Sequence, residues 1–114
     1  MNRSFSVVLL LLAACGGSSP APLPPGTTVI NWKIGATGIE NTIPAGQFVA
    51  WRSVDGMGHT ATSRDNPPAF AEVDVPSGQT SAAVRFDKVG DYAYLCSIHG
   101  AKVQNGTVHV VAAQ

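Results

Sequence analysis

From about residue 27 onward, apolar and polar residues alternate in short runs, and no run keeps the 3.6-residue period of a helix. Thr28-Val29-Ile30-Asn31-Trp32-Lys33-Ile34 is β-branched and alternating, and Gln47 to Arg52 follows Pro44-Ala45-Gly46, a turn signal. Further strands are predicted over Thr60 to Ser63, over Gln79 to Phe86 after Pro76-Ser77-Gly78, over Gly90 to Leu95 and over Gly106 to Val111. Six or seven short strands broken by turns imply an all-β fold, a Greek-key β-sandwich. Trp32, Trp51, Val84, Phe86, Tyr92, Tyr94 and Val108 are the candidates to fill the space between its sheets.

The pattern is different ahead of these strands. Met1-Asn2-Arg3 is a short cationic start, and the apolar run from Phe5 to Ala14 is too short to span a bilayer, so residues 1–14 read as a secretory signal. Gly16 to Gly26 is rich in Gly and Ser, then in Pro, and has no periodicity; it reads as a tether of a few nanometres at most, at about 3 Å per extended residue. That leaves one domain over 27–114, without repeats and with a modest core, expected to be a monomer. Seven Lys and Arg balance seven Asp and Glu, so no basic field points to nucleic acid.

The chemistry concentrates in Cys96-Ser97-Ile98-His99, with Gln104 five residues further on and His59 far upstream. Two imidazoles, one thiolate and a weaker oxygen donor form a ligand set that suits copper cycling between its cuprous and cupric states. Cys96 and His99 share one tight loop, while His59 must be delivered by another strand, so the fold sets the geometry before metal arrives. The alternatives for the weaker donor are the Gly58 carbonyl and the Met57 thioether. His109 lies on the alternating last strand and is expected at the surface. Four protein donors leave no open position for a substrate, and three histidines are too few for a coupled copper cluster, so an electron carrier is expected and not an enzyme.

Gly90 to His99 followed by Gln104-Asn105-Gly106-Thr107-Val108 resembles the C-terminal copper loop of plastocyanin-type cupredoxins, and Gly58-His59-Thr60 resembles their upstream histidine. The resemblance spans about residues 27 to 112. It implies a type 1, or blue, copper site with His59, Cys96 and His99 as ligands and Gln104 where an axial methionine is usual, as in stellacyanin-type sites. An amide oxygen is a harder donor than a thioether, which favours Cu(II) and lowers the potential. Thr60 stands where the family often carries an asparagine that ties the two ligand loops together; a hydroxyl from Thr60 or Ser97 is the candidate replacement.

Leu12-Ala13-Ala14-Cys15 resembles a bacterial lipobox, which implies that Cys15 is lipidated and becomes the mature N-terminus. The expected protein is therefore tethered to a membrane of the cell envelope, facing the periplasm. Gly16 after the cysteine, in place of Asp, points to the outer membrane in a Gram-negative host. Small and apolar residues near His99, among them Met57, Gly58, Ile98, Gly100 and Ala101 with Gly35 and Ala36, are expected to form a contact patch for a redox protein such as a cytochrome, oxidase, reductase or dehydrogenase. The competing reading is a non-redox protein that stores or delivers copper; the chain lacks the Met-rich or His-rich tracts that would favour it.

Overall fold

A computed structural model describes residues 22–113, which form eight strands and no helix. The segment 1–14, Cys15 and the first part of the tether lie outside the described residues. The strands are β1 (Thr28–Trp32), β2 (Ile39–Pro44), β3 (Gln47–Ser53), β4 (His59–Ser63), β5 (Val73–Val75), β6 (Val84–Phe86), β7 (Gly90–Leu95) and β8 (Asn105–Val111). They make two sheets, ordered β1-β3-β6 and β2-β8-β7-β4-β5. The chain passes between sheets after β1, β2, β3, β5 and β6, which places β1 beside β3 and β2 beside β8 in parallel. The remaining pairs are antiparallel. This is the all-β sandwich expected from the alternation.

Between the sheets lie Trp32, Trp51, Tyr94, Val49, Val75 and Val108, all wholly buried, with Phe86 beside them and Val84 and Tyr92 packed against the cluster. Each buried valine stabilises the fold by on the order of 1.5–3 kcal/mol through leaving water. Tyr94 is wedged between the two tryptophans at ring separations of 5.3 and 5.2 Å, and burial pushes its phenol up to about 12. All seven core candidates of the sequence are in this cluster or packed against it, and Val49 and Val75 join them.

Some strand limits differ from the sequence expectation. The first strand ends at Trp32, because Lys33 to Gly38 turns away to meet the metal-site loops. In the stretch Gln79 to Phe86 only Val84–Phe86 is a strand. There the Ser81 hydroxyl accepts the Trp51 N–H at 3.0 Å, a bond that a carbonyl would accept in a regular ladder. Strands β2 and β5 had no clear signal. β2 carries Glu40 and Asn41 and ends in Pro44, which is tolerated because it lies on a sheet edge. The turn after it is the Ala45-Gly46 turn expected from sequence, with Gly46 at φ 92°.

His109 ties three strands of the larger sheet together. It faces Asp91 across β7–β8, with Nδ1 2.7 Å from the Asp91 carboxylate, and its Nε2 lies 2.9 Å from Glu40 on β2. The bonds to Asp91 and then Glu40 raise its pKa above the ordinary 6.5. A histidine raised on folding stabilises the fold fully below its unfolded pKa, and that contribution is lost as pH rises through the folded one. An NMR titration is expected to find the His109 midpoint above 6.5, with Asp91→Asn lowering it more than Glu40→Gln does.

Candidate metal centre

One end of the larger sheet brings together three candidate donors, His59, Cys96 and His99, with Gln104 beside His99. His59 opens β4, Cys96 follows directly on β7, and β4 pairs with β7 through Thr62 and Leu95. His99 and Gln104 lie on the loop that links β7 to β8. That loop is closed at its base by the Cys96 N–H to the Gln104 carbonyl, 3.3 Å, and turned by the Gly100 N–H to the Cys96 carbonyl, 2.8 Å. Gly100 takes φ 96°, a conformation a side chain resists. The Asn105 amide clamps the same loop to the one after β1: it donates to the Ala101 carbonyl and accepts the Gly38 N–H.

His59 Nδ1 and His99 Nδ1 are 3.2 Å apart, and Cys96 Sγ lies 4.0 Å from the first and 3.5 Å from the second. A point equidistant from three donors so spaced lies about 2.1 Å from each, the bond length of imidazole nitrogen to a first-row metal and slightly short of that for thiolate sulfur. Gln104 Oε1 lies 3.1 Å from His99 Nδ1, while its buried Nε2 has no hydrogen-bond partner among the described residues. His59, Cys96 and Gln104 are buried; His99 is partly exposed. The residues therefore fit a metal ion, and the soft thiolate with two imidazoles suits copper. Of the other candidates for the weak donor, Met57 is exposed and its carbonyl accepts from the Ser53 hydroxyl, and Gly58 is exposed as well.

Asp55 is a functional candidate that sequence reasoning missed. Its carboxylate accepts from His59 Nε2 at 2.7 Å, which places the ring proton on Nε2 and leaves the Nδ1 lone pair aimed at the other donors. Desolvation pushes the Asp55 carboxyl up, but the Ile34 N–H, the His59 ring and the Met57 N–H outweigh it and hold the group at about 2. The only sequence signal was an acid four residues before the histidine, and in a Gly-rich loop that spacing has no regular geometry to read.

Around the thiolate, the Thr60 N–H donates to Cys96 Sγ at 3.4 Å, and Trp32 Nε1 anchors the Thr60 carbonyl from the core at 2.8 Å. The Thr60 hydroxyl accepts the Ser97 N–H at 2.8 Å and lies 2.9 Å from the Ser97 hydroxyl. Thr60 thus makes the link between the two ligand loops for which it was a candidate. Met57, Ile98 and Val103 on the donor-bearing loops are exposed, as is Ile34 on the clamping loop. Ala36, expected in the contact patch, instead packs partly against the core.

The sequence matches no protein-family model and no curated protein sequence. Solved structures define the class of fold: it is that of the cupredoxins. A methionine-to-alanine mutant of amicyanin, in its Cu(I) form, is 22% identical with a TM-score of 0.61, covering 78% of this chain and 86% of its own. A methionine-to-glutamine mutant of amicyanin, also Cu(I), gives 22% and 0.60 over the same shares. A novel purple cupredoxin from Nitrosopumilus maritimus is 23% identical with a TM-score of 0.59, covering 75% of this chain and 99% of its own. At these identities the likeness establishes the shared fold.

Proposed function

We propose that this protein is a type 1 copper electron-transfer protein, held by a lipidated Cys15 on a cell-envelope membrane and exchanging one electron at a time with a redox protein. The observation that carries the reading is the convergence of His59 Nδ1, Cys96 Sγ, His99 Nδ1 and Gln104 Oε1 in a largely buried site on a cupredoxin fold. Copper, when bound, supplies a one-electron couple between its cupric and cuprous states. Asp55 holds the His59 tautomer, the Thr60 N–H supports the thiolate, and the clamped loop keeps the donors in place through a change of charge. His99 is the partly exposed member of the set, and the exposed Ile98 next to it in the chain and Met57, two residues before His59, offer apolar contact, so with copper held by these residues an electron would pass there to a partner that binds weakly and leaves quickly. The same burial supports a carrier over an enzyme.

The test is the visible and electron paramagnetic resonance spectrum of residues 27–114 loaded with Cu(II) and freed of excess metal. An intense thiolate-to-copper band with narrow hyperfine splitting, bleached reversibly by reductant, is expected. Copper bound without that band would favour storage or delivery. Gln104→Met is expected to raise the reduction potential by at least one tenfold step in the Cu(I) to Cu(II) ratio, ~59 mV for one electron. An unchanged potential would remove Gln104 as the axial donor.

A further inference from the structure

A line of hydroxyls leads from the cysteine loop to a carboxylate at the surface. Ser97 Oγ lies 2.9 Å from Thr60 Oγ1, Thr60 Oγ1 lies 2.9 Å from Thr62 Oγ1, and Thr62 Oγ1 donates to Glu72 Oε1 at 2.6 Å. Thr60 and Thr62 alternate onto one face of β4, and Glu72 stands immediately before β5, the edge strand paired with β4. None of these residues is a metal-donor candidate, and among the described residues no hydrogen bond joins Glu72 to a candidate donor.

The proton directions along this line follow from Glu72 alone. An ionised carboxylate only accepts, so the Thr62 proton is committed to it. Thr62 then accepts the Thr60 proton, and Thr60 has only lone pairs left to offer Ser97. Those lone pairs receive both the Ser97 backbone N–H and its hydroxyl. Without the carboxylate, every hydroxyl in the line is free to reverse, and the Thr60–Ser97 link loses its single arrangement.

Resting on the copper reading above, we infer that Glu72 is a positioning residue for the metal centre: through Thr62 and Thr60 it orders the Cys96–Ser97 backbone and turns the negative ends of the hydroxyl dipoles toward the thiolate side. That orientation favours Cu(II), so breaking the line moves the couple toward Cu(I). Charge alone is separable from the line, because Asp74 carries the same charge opposite Thr60 in the β4–β5 register and makes no hydrogen bond in the line.

The test compares Glu72→Leu, Thr62→Val, Thr62→Ser and Asp74→Asn in the full chain by two readouts. In the copper-loaded protein, Glu72→Leu and Thr62→Val are expected to shift the Cu(I) to Cu(II) ratio at fixed redox poise by about threefold to tenfold toward Cu(I), the scale of one partly screened charge-assisted contact. In the metal-free protein, hydrogen exchange at the Ser97 amide is expected to rise by about tenfold in the same two variants, the effect of about 1.4 kcal/mol of lost local protection. Thr62→Ser should keep parental values in both, and Asp74→Asn should leave Ser97 exchange unchanged. Parental ratio and exchange in Thr62→Val would overturn the inference, as would equal shifts from Glu72→Leu and Asp74→Asn. A parent protein without a thiolate-to-copper band would overturn the copper reading and the claimed effect on the couple, while Ser97 exchange would still decide whether the line orders the loop.

Discussion

Cys96→Ser is expected to abolish the intense visible band of the copper-loaded protein and to weaken copper retention by more than the roughly 10–100-fold that losing an outer partner costs. The thiol is the one donor in the site that is both soft and readily ionised; a serine hydroxyl at the same point stays protonated at neutral pH and is a hard donor. The remaining donors, His59 Nδ1, His99 Nδ1 and Gln104 Oε1, still converge, so some metal binding persists without the thiolate spectrum. Cys96 is wholly buried within the core cluster, so the variant needs a stability control. The Thr60 N–H that now meets Sγ is available to the new hydroxyl, which holds the cost of burying it below the about 1–3 kcal/mol of an unpaired hydroxyl. A thermal melt of the metal-free protein therefore separates loss of the ligand from loss of the fold. A normal cupric thiolate spectrum in this variant would falsify the ligand assignment.

Gly106→Ala is expected to destabilise the protein by about 3 kcal/mol, at the upper end of overpacking costs, and to lower Tm by more than about 10 °C for a domain of this size. Gly106 faces Tyr94 across β7–β8 and Ile39 across β2–β8. A Cβ there would stand 2.5 Å from Tyr94 Cζ and 3.0 Å from Ile39 Cβ, and would overlap the Tyr94 hydroxyl. The phenol cannot swing aside, because Trp32 and Trp51 hold it from two sides. The clash also identifies its own rescue. The Tyr94 hydroxyl is buried without a hydrogen-bond partner, so Tyr94→Phe alone should cost little. Combined with Gly106→Ala it should recover part of the loss, and a double-mutant cycle by chemical denaturation measures that coupling. Additive losses would show that the tyrosine is not what excludes the methyl group.

Strands β1 and β8 were legible because buried and more open positions alternate along them, so period two is written into residue type, and β3 was legible as an apolar run after a turn signal. Strands β2 and β5 were not, since an edge strand with Glu40, Asn41 and Pro44 and a three-residue strand have too few buried positions to leave a pattern. In the candidate site, Cys96 and His99 were legible as a local pair of candidate donors. His59 entered by chemistry and resemblance. Asp55 and the Glu72–Thr62 line escaped notice because acids and threonines in loops and on sheet edges are ordinary surface residues until a neighbour gives them a direction.

By itself, then, the order of residues determined an all-β domain with a Trp- and Tyr-rich core and the presence of a thiolate, two imidazoles and an amide as its distinctive chemistry. These follow from side-chain periodicity and from functional groups, both of which are local properties. Tertiary structure alone decided that residue 59 lies against residue 96, which nitrogen of His59 is free, that Gln104 is wholly buried beside the donors while Met57 is at the surface, and that Thr60 bridges the two loops. Each of these is a distance or a hydrogen-bond direction between segments far apart in the chain. Such relations are set by how the β4, β7 and β8 strands stack, which no short stretch of sequence records.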